Sequence, residues 1–163
     1  MQSHNVAKSL DSYKHEKIII RQVGEQINAT IDTNMGVTTQ SVYCLYPKNK
    51  DEQTHLGALL GILNSRLFDF FYRLVSGDKQ MFKRIILENI KALPYPNIQD
   101  NHISQIEKLV DEILSAKQSY SEEDTLSQER QIDRLVYQLY GLTYGEVLII
   151  DPRPPFTREE YEE

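Results

Sequence analysis

Three groups of side chains in this chain have the chemistry to grip a polyanion and to read it. Lys79, Lys83 and Arg84 form a basic run around Met81 and Phe82. Arg21 and Gln22 with Asn28 and Thr30, and further on Thr38, Thr39 and Gln40, supply guanidinium, amide and hydroxyl groups in short clusters. Lysine, arginine and small hydroxyls anchor phosphates, while arginine, asparagine and glutamine make paired hydrogen bonds with base edges. These residue types point to contact with nucleic acid. The same positions would serve equally as the solvated side of a two-faced sheet and a charged surface loop.

Catalytic chemistry is much harder to find. His4, His15, His55 and His102 are scattered without metal-ligand spacing, and Cys44 has no companion, so no metal site is expected. A single cysteine also rules out an internal disulfide and suits a reducing, cytoplasmic setting. Glu122-Glu123 and Glu159-Glu160 lie in polar stretches and read as solvated charge. There is no nucleophile with a partnering base and no glycine-rich turn to cradle a phosphate. No run of 18 apolar residues suggests a membrane span, and the polar start from Met1 to Lys17 does not resemble a signal peptide. No catalytic residue, cofactor or membrane partner is expected of this chain.

The formal net charge of −6 would argue against a polyanionic ligand if it were spread evenly. It is not. Residues 1–96 carry 12 Lys and Arg against 9 Asp and Glu, net +3, and residues 97–163 carry 6 against 15, net −9. Local field rather than total charge decides which face approaches a polyanion, so DNA would touch the first part and not the second.

The elements that must position these groups can be read from periodicity. Lys17 to Val23 and Ile27 to Asp32 flank a Gly24-containing break and read as a β-hairpin with one buried face. Thr39 to Tyr46 reads as a third strand, stopped by Pro47. Leu56, Leu59, Leu60, Leu63, Leu67, Phe70, Phe71 and Leu74 fall at steps of three and four, predicting one helix over 55–75, roughly 30 Å long. Arg66, Asp69 and Arg73 would pair with one another on its other side. Asn64 and Ser65 interrupt the apolar pattern and are expected to hydrogen-bond a neighbouring loop. Residues 85–92 read as a short strand or a helical turn, with Pro94 and Pro96 forcing an extended exit. Amphipathic helices follow, with capping boxes expected at Thr125–Gln128 and Thr143–Glu146 and a helix stop at Gly141.

The expected fold is therefore α+β: a small, mainly antiparallel sheet packed on a long helix, followed by a C-terminal helical part. The organisation reads as a polar linker over 1–16, the α+β region carrying the candidate contacts over 17–98, a helical region over 99–151, and a disordered acidic tail over 152–163.

Four pieces, in this order, carry a family likeness. Lys17-Ile18-Ile19-Ile20-Arg21-Gln22-Val23-Gly24 followed by Ala29-Thr30-Ile31-Asp32 is the first, and Leu60 to Leu67 with its Leu-Asn-Ser step is the second. Lys83-Arg84-Ile85 leading to Leu93-Pro94-Tyr95-Pro96 is the third, and Asp133 to Thr143 the fourth. Together, over 17–150, they resemble the TaqI-like C-terminal specificity domain of adenine-N6 DNA methyltransferases and fused restriction-modification enzymes. Half of a type I specificity subunit has similar pieces. The resemblance implies a target-recognition domain for double-stranded DNA whose catalysis lies in a separate methyltransferase domain using S-adenosylmethionine, with or without a fused endonuclease. The adenine-methylating Asn/Asp-Pro-Pro-Tyr/Phe element is missing. Arg153-Pro154-Pro155-Phe156 is the nearest approach, and arginine offers no carbonyl to accept the adenine amino hydrogen. A protein-interaction role for the C-terminal helices, as in type I specificity subunits, is the alternative expectation.

Overall fold

The computed structural model describes residues 15–34, 36, 41–47, 55–77, 84–96, 101–120 and 123–163. Its sheet is built from β1 (Lys17–Arg21), β2 (Ala29–Asp32) and β3 (Val42–Leu45). Both β2 and β3 pair antiparallel with β1, giving the order β2-β1-β3. Ile20 faces Ala29 and Tyr43 across the ladders, and Ile18 faces Ile31 and Leu45. Because side chains alternate along a strand, this register turns all six toward one face, and Ile18 and Ile20 are fully buried there. The hairpin and the third strand are where the alternation places them.

The helix expected over 55–75 is two helices, α1 (Leu56–Asn64) and α2 (Arg66–Ser76). Ser65 separates them with an extended backbone, φ −70° and ψ 154°. Its hydroxyl donates to the Ile62 carbonyl at 2.7 Å and accepts from the Phe68 amide at 3.3 Å. One side chain thus closes the first helix and caps the second. The break also resets the helical phase. Leu67, Phe68 and Tyr72 are buried in α2, whereas Leu74, placed on the apolar stripe by uninterrupted counting, is 65 % exposed.

The chain continues through α3 (Leu87–Lys91), α4 (Asn101–Ser119), α5 (Leu126–Leu139), α6 (Tyr144–Ile150) and α7 (Arg158–Glu162). The 85–92 segment, open between strand and helical turn, resolves as the α3 turn. α1 lies between the sheet and α4, with α5 packed against α4. Gly61 sets how closely α1 approaches α4: a Cβ there would sit 2.6 Å from Ile106 Cγ2 and 3.1 Å from Val110 Cγ2. Among the described residues, the buried apolar side chains form one core cluster reaching from Ile18 to Tyr161. Among the described residues, no helix is long and apolar enough to cross a membrane.

Two expectations at the C-terminal end need correction. Thr125 and Gln128 form no capping box; the buried Thr125 hydroxyl donates instead to Glu129 Oε1 at 2.7 Å. The second box, Thr143 with Glu146, opens α6 as expected, and Gly141 with φ +64° ends α5. Residues 152–163, expected to be disordered, fold back onto the protein. Thr157 and Glu160 make a complete capping box for α7, and Tyr161 is buried with its hydroxyl donating to the Leu142 carbonyl at 2.8 Å. Its ring stacks on Phe156 at 5.5 Å. The acidic composition suggested a solvated tail; Phe156 and Tyr161 dock it, with Gln138 and Tyr144 side chains donating to the carbonyls of Tyr161 and Phe156.

Candidate nucleic-acid interface

Opposite the core, the sheet presents a face that is open at one end. Arg21 pairs with Val42, and its amide donates to the Asn28 carbonyl at 3.0 Å. Arg21 and Asn28 are therefore direct cross-strand neighbours. Thr30, opposite Ile19, occupies the next row. All three are exposed, which gives a guanidinium, an amide and a hydroxyl on one surface within two rows of a sheet. The other end of that face is closed: Lys17 is fully buried and its ammonium donates to Asp32 Oδ2 at 2.5 Å. That bond, with the Asn34 and Gly36 amides, holds the Asp32 carboxyl below its ordinary range.

Gln22 is a structural junction more than a free contact. Its amide donates to the Ser41 carbonyl at 3.1 Å, its carbonyl accepts from Ile85 N at 2.8 Å, and its Nε2 reaches the Val42 carbonyl at 3.4 Å. The adjacent Val23 makes an isolated antiparallel bridge with Arg84. Arg84 is exposed and is thus brought to the same sheet end as Arg21. Thr38, Thr39, Gln40, Lys79 and Lys83 lie outside the described residues. Ser41 and Arg84 both lie beside Gln22 and Val23, through the Gln22–Ser41 hydrogen bond and the Val23–Arg84 bridge.

Behind this face, side chains hold the sheet to the helices. Asn64 accepts from the Ala29 amide at 2.9 Å and donates to the Ala29 carbonyl at 3.0 Å, so the interrupting asparagine does bond a neighbouring segment. Arg66 does not join the expected pairing with Asp69. It reaches across to α5 and the end of α6, with Nε 3.3 Å from Asp133 Oδ2 and one terminal nitrogen 2.7 Å from Asp151 Oδ2. The Arg66 amide also donates to Asp133 Oδ1 at 2.8 Å, capping α2 from another helix. Burial raises the Asp133 carboxyl to about 6, against the pull of those Arg66 contacts. Asp69 pairs with Arg73 as expected.

The proline exit is an architectural clamp. Leu93 is buried, the Tyr95 ring sits 5.3 Å from Phe68, and Tyr95 Oη donates to the Ile90 carbonyl at 3.1 Å. Burial pushes the Tyr95 hydroxyl up to about 12. Tyr140, from the end of α5, donates to the Pro94 carbonyl and contacts both Phe68 and Phe71.

Along the edge strand β2 runs a cleft of about 750 Å³, bounded by the α1–α2 junction, α4 and α5. Asn28 and Thr30 lie at its wall, as do Arg73, Lys117 and Arg130. Sequence reading did not assemble this group, because Lys117 and Arg130 come from the acidic C-terminal part and meet β2 only through helix packing. Among the described residues, no cluster of three or more potential metal ligands is present.

The TaqI-like C-terminal specificity domain matches residues 1–95, more than half of the chain, and the chain belongs to that family. The match takes in the sheet, α1, α2, α3 and the clamp up to Tyr95; α4 to α7, including the Asp133–Thr143 likeness, lie beyond it. No curated protein matches the chain.

Proposed function

We propose that this chain selects double-stranded DNA sites for a separate methyltransferase domain, and that the Arg21 end of the outer sheet face makes base contacts. The observation that carries this is the side-by-side exposure of Arg21 and Asn28. Arginine matches the O6/N7 acceptors of guanine and asparagine matches adenine N6/N7. A β-ribbon fits the major groove, and a cross-strand pair of this kind would present both side chains to neighbouring base edges. Thr30 and Arg84 flank them, Arg84 as a phosphate anchor; Thr38, Thr39, Gln40, Lys79 and Lys83 are proposed as further contacts.

The chemistry belongs to the parent enzyme, a site-specific adenine methyltransferase using S-adenosylmethionine, in a cytoplasmic restriction-modification system. Family membership supports this division of labour. In the second reading, α4 to α7 serve subunit assembly; exposed Leu148 and Ile149 on α6 favour it for that part of the chain.

Binding of the chain to a fluorescent duplex across a salt series tests the proposal. Affinity should be weak, because few phosphates are neutralised, and log K should fall linearly with the logarithm of salt concentration. No binding at low salt, or binding indifferent to salt, would overturn it.

A further inference from the structure

The cleft beside β2 has a property that overall charge hides. Of its acidic lining groups, Asp69 is paired with Arg73 and Asp133 with Arg66, while Glu129 accepts from the Thr125 hydroxyl and keeps its charge. Lys117 and Arg130 are exposed and have no ion-pair partner among the described residues. The lining holds four cations, Arg66, Arg73, Lys117 and Arg130, against three carboxylates, Asp69, Glu129 and Asp133, so the cleft is net positive by one in a chain of net charge −6. The cleft is also continuous with the proposed recognition face, since Asn28 and Thr30 belong to both.

We infer that one strand of the bound duplex passes over the β2 edge and lays its phosphates along this cleft, against Lys117 of α4 and Arg130 of α5. The inference rests on the DNA-recognition reading and extends it beyond the family-matched residues 1–95. It also changes the role of the acidic half of the chain. Helices carrying a net charge of −9 over 97–163 would repel a duplex elsewhere, so two unpaired cations beside the edge strand guide the backbone to a single path. Charge complementarity, not apolar area, selects the occupant: a phosphodiester strand supplies regularly spaced anions and needs no deep pocket.

The test is the full chain carrying Lys117→Ala and Arg130→Ala together, compared with the unaltered chain on the same random-sequence duplex. Both side chains are exposed and unpaired, so circular dichroism and the thermal midpoint should stay unchanged. The salt slope of log K should become shallower by about 2, and low-salt affinity should fall at least about fivefold. An unchanged slope with an intact DNA-binding wild type overturns the inference and leaves the recognition reading standing. A wild type that binds no DNA overturns both. Loss of binding to poly-L-glutamate with DNA binding unchanged assigns the cleft to an acidic protein segment instead, and also overturns it.

Discussion

The Asn64 side chain completes the edge of the sheet by pairing with both backbone groups of Ala29. An edge strand exposes alternate amides and carbonyls outward, and the two bonds, 2.9 and 3.0 Å long, imitate one step of a fourth strand. They tie the end of α1 to the strand that carries Asn28 and Thr30, so Asn64 positions two of the proposed contacts.

Asn64→Ala should therefore destabilise the protein by about 1–2 kcal/mol, the loss of two hydrogen bonds. Asn64→Asp should be no better, since it sets a carboxylate oxygen against the Ala29 carbonyl. Denaturant titration gives the energy, and hydrogen exchange at the Ala29 amide should accelerate in both variants. Unaltered protection of that amide would remove Asn64 from the account.

The partly buried Asp133 makes a pH prediction with a definite sign. Its carboxyl is raised from 3.8 to about 6 by burial, so between those values the folded state holds the proton more tightly than the unfolded chain. The stabilisation from this group is complete below about pH 4 and is lost as pH rises through 6. Two units correspond to about 3 kcal/mol, an upper figure. Asp133→Asn keeps an acceptor for the Arg66 amide and cannot ionise. Relative to wild type, the variant should gain stability as pH goes from 4 to 7, measured by urea denaturation. A constant difference across that range contradicts the assignment. The Asp32–Lys17 pair acts oppositely: the lowered Asp32 carboxyl contributes stability above about pH 4 that disappears on further acidification.

Tyr161 tests whether the C-terminal segment is part of the fold. It is 5 % exposed, stacked on Phe156 and bonded to Leu142. Tyr161→Ala should cost roughly 3 kcal/mol by emptying its site, whereas Tyr161→Phe should cost about 1, the single hydrogen bond. Thermal unfolding distinguishes them; a silent alanine variant would mean the segment does not dock.

Much of the architecture was legible from local rules. Alternation at 17–23 and 27–32 gives the hairpin and its buried face, and the Thr143–Glu146 box gives α6. Counting by helical steps failed at Ser65, because a serine inside an apolar run can serve as a cap as readily as a helical residue, and the buried Phe68 falls off the counted stripe. Arg66 shows the other limit. Its nearest opposite charge in sequence is Asp69, yet its partners are Asp133 and Asp151, 67 and 85 residues away. The outward exposure of Arg21, Asn28 and Thr30 follows from strand phase alone. The gathering of Arg73, Lys117 and Arg130 around one cleft depends on how three helices pack, and no local pattern encodes that.

The most direct test of site selection is an enrichment of random-sequence duplexes by the full chain, compared with the Arg21→Ala Asn28→Ala double variant. Wild type should enrich a defined short sequence. The variant should keep salt-dependent binding and lose that preference, at about 1–3 kcal/mol per lost base contact. Identical enriched sequences from both proteins would contradict base reading by this face.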